Sequence, residues 1–324
     1  MNEIKEFLET NKIPFKKDYP LQKITRKNTK VILSFYGTPK TSESFEDLIR
    51  FCLSNNLKFE VVGQIWNTYI KDSFKADILI STVKLNKFIQ KDDLLICQPG
   101  CSLPLIGNWG VENLIKDFEG FTGIPATIGG AAINNAGSSK SLISNILFSL
   151  TIITEEQKKV ILTNADLGYK TRQSKIKNGE VKGYVIEVIL DISLKDTKEN
   201  IDLKYKNYEK YRINNIDGRN KSLGSTFIST TLKPIYKRYK FNFICKAIVF
   251  RFIKLFVSGI DKRKELNNKL IFLFLGYPKM ANHCDSFNRF VWKENTTEKD
   301  YFNYINLIAK LSKGQAVLEN QIKE

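Results

Sequence analysis

Between Gly120 and Ser139 the chain reads GFTGIPATIGGAAINNAGSS, and this stretch restricts the fold more than any other. A glycine inside a helix or strand costs roughly 0.5–1 kcal/mol relative to alanine. A segment carrying Gly123, Gly129, Gly130 and Gly137 is therefore not built for regular structure alone. Glycines at this density serve where the backbone must come close to a ligand, and successive main-chain N–H groups then form a nest for an anion such as a pyrophosphate. Asn134 and Asn135 add side-chain amides at the same place. The spacing does not follow the strand, G-x-G-x-x-G, helix order of the dinucleotide fingerprint, and glycine-rich turns between strands are common. Taken alone, the stretch leaves a phosphate cradle and a plain turn both open.

The flanking sequence is rich in strands. LKFEVVG (57–63), ADILIST (76–82), DLLICQPG (93–100), ILFSLTIIT (146–154), KKVILT (158–163) and GYVIEVILDISL (183–194) are aliphatic runs bounded by glycine, proline or polar turns. TSESFEDLIRFCLSNN places Phe45, Leu48, Ile49 and Cys52 at helical spacing, with Ser42 or Ser44 as the expected cap. Residues before it read as a lead segment. From about 196 the chain becomes highly charged, DTKENIDLKYKNYEKYR, which reads as a linker to a further domain. The class is α+β.

Composition removes several chemistries. A single histidine, His283, leaves almost nothing for a Ser-His or Cys-His mechanism or for a site of several imidazole ligands. Five scattered cysteines, without a second pair or a nearby histidine, read as buried free thiols, and no metal site is expected. The net charge of +17 attracts anions, but its lysines are dispersed and no nucleic-acid module is recognisable, so nucleic acid is not an expected partner. No run of about 18 apolar residues is free of charges, and MNEIKEFLETNKIPF lacks the layout of a signal peptide; the expected location is cytoplasmic. FNFICKAIVFRFIKLFVSGI (241–260) is interrupted by Lys246, Arg251 and Lys254. It reads first as an amphipathic helix packed in the C-terminal domain and second as a helix lying on an acidic membrane surface.

GIPATIGGAAINNAG resembles the signature of the UDP-N-acetylenolpyruvoylglucosamine reductase (UDP-N-acetylmuramate dehydrogenase) family, GIPG-[TS]-V-GGA-x-x-x-NAG. Four further fragments follow the family's order. VVGQIWNTYIKDSF (61–74) is similar to its GGGSN-x-L segment, keeping Gly63 and Asn67. DLGYKTRQSKIK (166–177) resembles its Y-R-x-S-x-F-K motif, keeping Arg172, Ser174 and Lys177, with Thr171 at the tyrosine. GSTF (224–227) is similar to the start of GS-x-F-K-N-P, and LENQI (318–322) to L-E-x-E-[VI], with Gln321 at the second glutamate.

The resemblance implies a vanillyl-alcohol-oxidase/PCMH-type FAD-binding fold in two subdomains, 1–75 and 76–197, and a C-terminal α/β substrate-binding domain, 198–315, with the tail 316–324 returning to the first. It implies FAD and NADPH as cofactors and a UDP-sugar substrate. It places FAD against Gly63, Asn67, Gly123, Ile124, Pro125, Thr127, Gly129, Gly130, Asn135 and Gly137. Ser225 would be the proton donor, Arg172 the group that grips the enolpyruvyl carboxylate, and the residue at 321 would assist at the same carbon. Gln321 cannot donate a proton as the glutamate does, although its amide can orient Arg172 or the enolate. Tyr169, two residues from Thr171, would stand in for the missing phenol, and Ile228, Ser229 and Thr230 replace K-N-P. With histidine confined to position 283, FAD is expected to be non-covalent. The departures also admit a diverged flavoenzyme acting on another nucleotide-sugar, or a flavin binder without turnover. Oligomeric state is not legible.

Overall fold

The computed structural model describes residues 2–138, 141–215 and 221–324; Ser139, the last residue of the glycine-rich stretch, lies outside them. Two units divide the chain. The first comprises the residues through Leu21, Ile32–Gln64 and Lys75–Arg212; the second comprises Gln22–Val31, Ile65–Phe74 and the described residues from Ile213 to Glu324. This grouping differs from a division at 75 and 197, because two short N-terminal segments group with C-terminal residues and the first unit continues past 197.

The first unit contains two sheets. One runs in the order Phe15–Pro20, Ile32–Gly37, Ile78–Ser81, Phe59–Val62, antiparallel in its first pair and parallel in the others. Ile78–Ser81 is buried at every position, as an inner parallel strand requires. Helix Ser42–Ser54 brings Phe45, Leu48, Ile49 and Cys52 into one core with Ile78 and Ile80. Its cap is Thr41 and neither expected serine: the Thr41 hydroxyl accepts the Ser44 N–H, and the Ser44 hydroxyl accepts the Thr41 N–H. This reciprocal box satisfies two donors at once. The two strands at 15–20 and 32–37 fall in what reads as a lead segment. Phe15–Pro20 exposes Lys16, Lys17 and Asp18, as an edge strand does, and so lacks the alternation that identifies a strand.

The second sheet is antiparallel throughout, in the order Lys159–Thr163, Leu147–Ile153, Tyr184–Asp191, Leu94–Cys97, Phe88–Lys91. Leu95, Leu150, Val188 and Leu190 pack with Ile128, Ala131 and Phe118, each large aliphatic side chain contributing roughly 1.5–3 kcal/mol by burial. The expected linker is instead a helix, Lys198–Asn215. Its charges surround it, so it has no apolar stripe for periodicity to reveal. Asp196 anchors its start by accepting from the Thr197 N–H, Asn200 and Lys204. These bonds hold the Asp196 carboxyl at a pKa of about 2.

The second unit has a small antiparallel sheet, Lys221–Ser222, Arg289–Trp292, Cys284–Ser286. Helix Glu298–Ser312 buries Tyr301, Tyr304, Ile308 and Leu311 in a core shared with Tyr69, Phe290 and Trp292. Lys27 ties the N-terminal segments into this unit. It is fully buried, 2.8 Å from Asp72 and 3.3 Å from Glu298, with its ammonium 4.4 Å from the Tyr69 ring centre; a buried cation needs such partners. The tail strand Gln321–Lys323 runs parallel to Thr68–Ile70. Lys240–Ile253 is a helix, but none of its side chains is fully buried, contrary to the expected core-packed helix. Among the described residues no helix is long and apolar enough to cross a membrane.

Candidate active site

The glycine-rich stretch forms a short helix, Ile128–Asn134. Thr127 caps it, its hydroxyl accepting the Gly130 N–H at 3.4 Å. Gly63 exists for this cap: a Cβ there would stand 2.3 Å from Thr127 Oγ1. A Cβ on Gly129 would lie 3.0 Å from Pro99, and one on Gly137 2.0 Å from the Ser141 carbonyl. These glycines permit contact of chain with chain.

Within the stretch expected to form an anion nest, the N–H groups of Ile128 and Gly129 are already paired. The Ile128 N–H donates to the Cys101 carbonyl at 2.8 Å and the Gly129 N–H to the Pro99 carbonyl at 2.9 Å, which satisfies donors that a helix start otherwise leaves unpaired. Donors remain one step earlier. The N–H groups of Gly123, Ala126 and Thr127 have no main-chain partner among the described residues, Pro125 is exposed and Ile124 half-buried. The Arg212 guanidinium lies against Gly123, in the space a Cβ would take. A cavity of about 220 Å³, lined by Gln64, Asn86, Phe88, Cys101 and Ser102, borders the same region through the Ser102–Thr127 bridge. Unpaired N–H groups, a cation and an adjoining cavity fit the phosphates of a flavin nucleotide.

At its other end the helix closes on Asn135, in the left-handed conformation with φ 45° and ψ 53°, which asparagine tolerates better than other residues with a Cβ. The Asn135 amide donates to the Lys170 carbonyl at 3.0 Å and accepts the Ser144 N–H at 3.1 Å. The 166–177 motif then covers the last carbonyls. Tyr169 donates to Ala132 at 2.8 Å and Ser174 to Ile133 at 2.6 Å; Arg172 donates to Asn135 at 3.2 Å and Gly137 at 2.6 Å. Lys177 in turn donates to the Arg172 carbonyl at 2.9 Å. Tyr169 does not stand in for a substrate-side phenol. Its ring packs on the core, its hydroxyl is committed to Ala132, and burial raises its pKa. Thr171 is exposed.

Asn67, Ser225 and Gln321 come together in the second unit. Asn320, 5% exposed, donates to Asn67 Oδ1 at 2.7 Å and to the carbonyls of Leu223 and Ser225 at 2.9 and 3.2 Å, and accepts the Tyr301 hydroxyl at 3.0 Å. The Asn67 side-chain amide donates to the Glu319 carbonyl at 3.1 Å, and the Asn67 main-chain carbonyl accepts the Gln321 N–H at 2.9 Å. The Asn67 side chain, expected against the cofactor, thus holds the C-terminal segment. Ser225 is exposed. The tail strand begins only at Gln321. Ile228 is buried where the family pattern has lysine. His283 is half-buried in the second unit, its ring parallel to that of Phe290 with centroids 6.0 Å apart.

Reading the sequence missed Asn320, Tyr301 and Glu119. Glu119 is fully buried beside the Ser141 hydroxyl at 3.3 Å, with Lys204 at 3.5 Å. Its one signal is an acidic residue between two buried phenylalanines, Phe118 and Phe121. Four of the five cysteines are buried and all are free, as expected.

Residues 34–162 match the FAD binding domain family. The structure also aligns with UDP-N-acetylenolpyruvylglucosamine reductase from Thermus caldophilus over 96% of this chain and 99% of that one, with a TM-score of 0.63 at 16% identity, a likeness of fold. The molecule is thus an FAD-binding flavoprotein of the expected α+β class. Among curated proteins, the UDP-N-acetylenolpyruvoylglucosamine reductase of Clostridium kluyveri is 30% identical over 225 residues, 69% of this chain and 72% of that one. That of Clostridium tetani is 29% identical over 284 residues, 87% and 82% of the two chains. With this identity across so much of both sequences, the chain belongs to the UDP-N-acetylenolpyruvoylglucosamine reductase family.

Proposed function

We propose that the protein reduces the enolpyruvyl group of UDP-N-acetylenolpyruvoylglucosamine to the lactyl group of UDP-N-acetylmuramate, with NADPH as reductant, in the synthesis of peptidoglycan precursors. The observation that carries the reading is Arg172, whose guanidinium is oriented by two carbonyls at the end of the glycine helix, within a motif that matches the family's in order and spacing. The 122–127 loop, with the Arg212 guanidinium beside Gly123, would hold FAD without a covalent link, and the bound flavin would supply the hydride-transfer chemistry between NADPH and the substrate alkene. Arg172 would hold the substrate carboxylate, since a guanidinium stays ionised and presents paired donors. The Ser225 hydroxyl would deliver the proton to the alkene carbon next to the one receiving hydride, so that one hydride and one proton account for the added hydrogens. Gln321 would orient groups through its amide and cannot itself exchange a proton at neutral pH.

Buried Ile228 and the amide at 321 also support a second reading, in which the same chemistry acts on another nucleotide-sugar. Anaerobic mixing of NADPH-reduced protein with UDP-N-acetylenolpyruvoylglucosamine separates the two. Rapid return of the oxidised flavin spectrum supports the first reading; a flavin that is reduced by NADPH but stays reduced with this substrate overturns it in favour of the second.

A further inference from the structure

Helix Lys240–Ile253 and the turn after it carry their apolar side chains outward. Phe241, Ile244, Ile248, Phe252 and Leu255 are 77, 46, 53, 66 and 73% exposed. Their steps of three and four residues place them on one stripe, and Phe256 beside its end is 88% exposed. The opposite face holds the helix to its own unit, and does so largely with polar atoms. Asn242 donates to the Phe274 carbonyl at 2.7 Å, Lys246 to Asn267 at 2.7 Å, and Phe243 packs on Tyr236 and Phe287. A helix whose task was to cover a core would carry these two sets of residues on exchanged faces.

Cations surround the stripe. At 100° per residue Lys240 and Arg251 fall along its edge, and both are exposed, as are Lys237, Arg238, Lys262 and Arg263 nearby in sequence. Between residues 233 and 264 the only acidic residue is Asp261. An exposed apolar stripe of this length calls for a covering surface, and its charged border selects one. A second copy would bring a chain of net charge +17 against another of +17, a like-charge interface. The headgroup layer of an anionic bilayer offers phosphates to the cations and an acyl boundary to the phenylalanines and isoleucines.

We propose that the stripe from Phe241 to Phe256 is a membrane-surface docking element, by which the C-terminal unit sits on an anionic lipid bilayer without crossing it. This is independent of the reaction assigned above. The test is co-sedimentation of the full-length protein with vesicles of phosphatidylcholine alone, and with vesicles in which half the lipid is phosphatidylglycerol. Binding is expected with the anionic vesicles only. The double substitution Ile248→Ser/Phe252→Ser should weaken it about tenfold or more, and Arg251→Gln about fivefold; both act on exposed side chains and should leave the thermal transition unchanged. No binding to anionic vesicles overturns the proposal. So does binding that the serine pair does not weaken, since that is plain adhesion of a basic protein. A dimer that dissolves in the serine pair would assign the stripe to a second copy and overturn it as well.

Discussion

Each unit contains a buried asparagine that organises the segment bearing a candidate catalytic residue, and the two do so by different physics. Asn135 works through its own backbone conformation. It ends a helix in the left-handed conformation, and its own carbonyl receives Arg172. Asn320 works at long range, joining Ser225, Leu223, Asn67 and Tyr301, of which Asn67 is 253 residues away. The first site is specified by backbone geometry and the second by side-chain satisfaction. Substitutions should therefore fail in distinguishable ways.

The largest effect is expected at Ser225. Ser225→Ala should lower substrate-driven flavin reoxidation roughly 10²–10⁴-fold, the usual range for removing a proton donor, and leave reduction by NADPH unchanged. Gln321→Glu, which restores the family's acid, should raise reoxidation. Stopped-flow absorbance reads both half-reactions; equal loss in each would assign Ser225 to folding instead.

Next come the asparagines. Asn320→Ala strands two carbonyls and a tyrosine hydroxyl in a buried place and should cost about 3 kcal/mol, at roughly 1 kcal/mol or more per group. Asn135→Ala should cost about 2 kcal/mol, from lost hydrogen bonds and from the left-handed backbone. Glycine separates the two. Asn135→Gly should recover about 1 kcal/mol relative to alanine because glycine accepts positive φ, whereas Asn320→Gly should recover nothing. Urea unfolding of the four variants, followed by the flavin and by far-UV circular dichroism, measures this; equal rescue at both positions would break the distinction.

Gly63 probes the local site from the other end. Gly63→Ala should cost about 2–3 kcal/mol by driving a methyl into Thr127 Oγ1, and Thr127→Ala about 1 kcal/mol by loss of the cap. Together they should cost less than the sum, because Thr127→Ala removes the atom that clashes. A strictly additive double variant would mean that Gly63 is needed for something other than Thr127.

The same contrast explains what was legible in the sequence. Gly63, Thr127, Asn135 and Arg172 were identified through the resemblance alone, whose fragments are short and are matched residue by residue; the close approach at Gly63 and the left-handed conformation of Asn135 give two of them a physical reason that only the structure supplies. Asn320 escaped because it has no local conformational signature; its bonds reach residues 67, 223, 225 and 301. Helix 198–215 escaped because charges on all faces erase periodicity, and strand 15–20 because its exposed edge erases alternation. A helix was expected over 241–260 and the structure forms it over 240–253 only, and its apolar period could not say whether the stripe faced a core or the outside. Periodicity measures that a face exists, and only tertiary contacts say what it meets.

The smallest effect concerns the tyrosines that brace the two asparagine regions. Tyr169 donates to Ala132 beside Asn135, and Tyr301 donates to Asn320 itself. Burial raises both phenols above the ordinary value of 10.0. A group whose pKa is higher folded than unfolded binds its proton more tightly in the folded state, so its contribution is complete below pH 10 and is lost as pH rises from there toward the folded-state value. Stability should therefore be flat in this respect through neutral pH and decline above pH 10. Tyr169→Phe and Tyr301→Phe should each cost about 1 kcal/mol at pH 8 for the lost hydrogen bond and each reduce the alkaline decline. The Tyr301 variant should be the more costly, because it strands the Asn320 oxygen that a locally built site would not depend on. Thermal transitions between pH 8 and pH 11 test this ordering, and a larger cost at Tyr169 would show that the local site leans on its side chains as heavily as the distant one does.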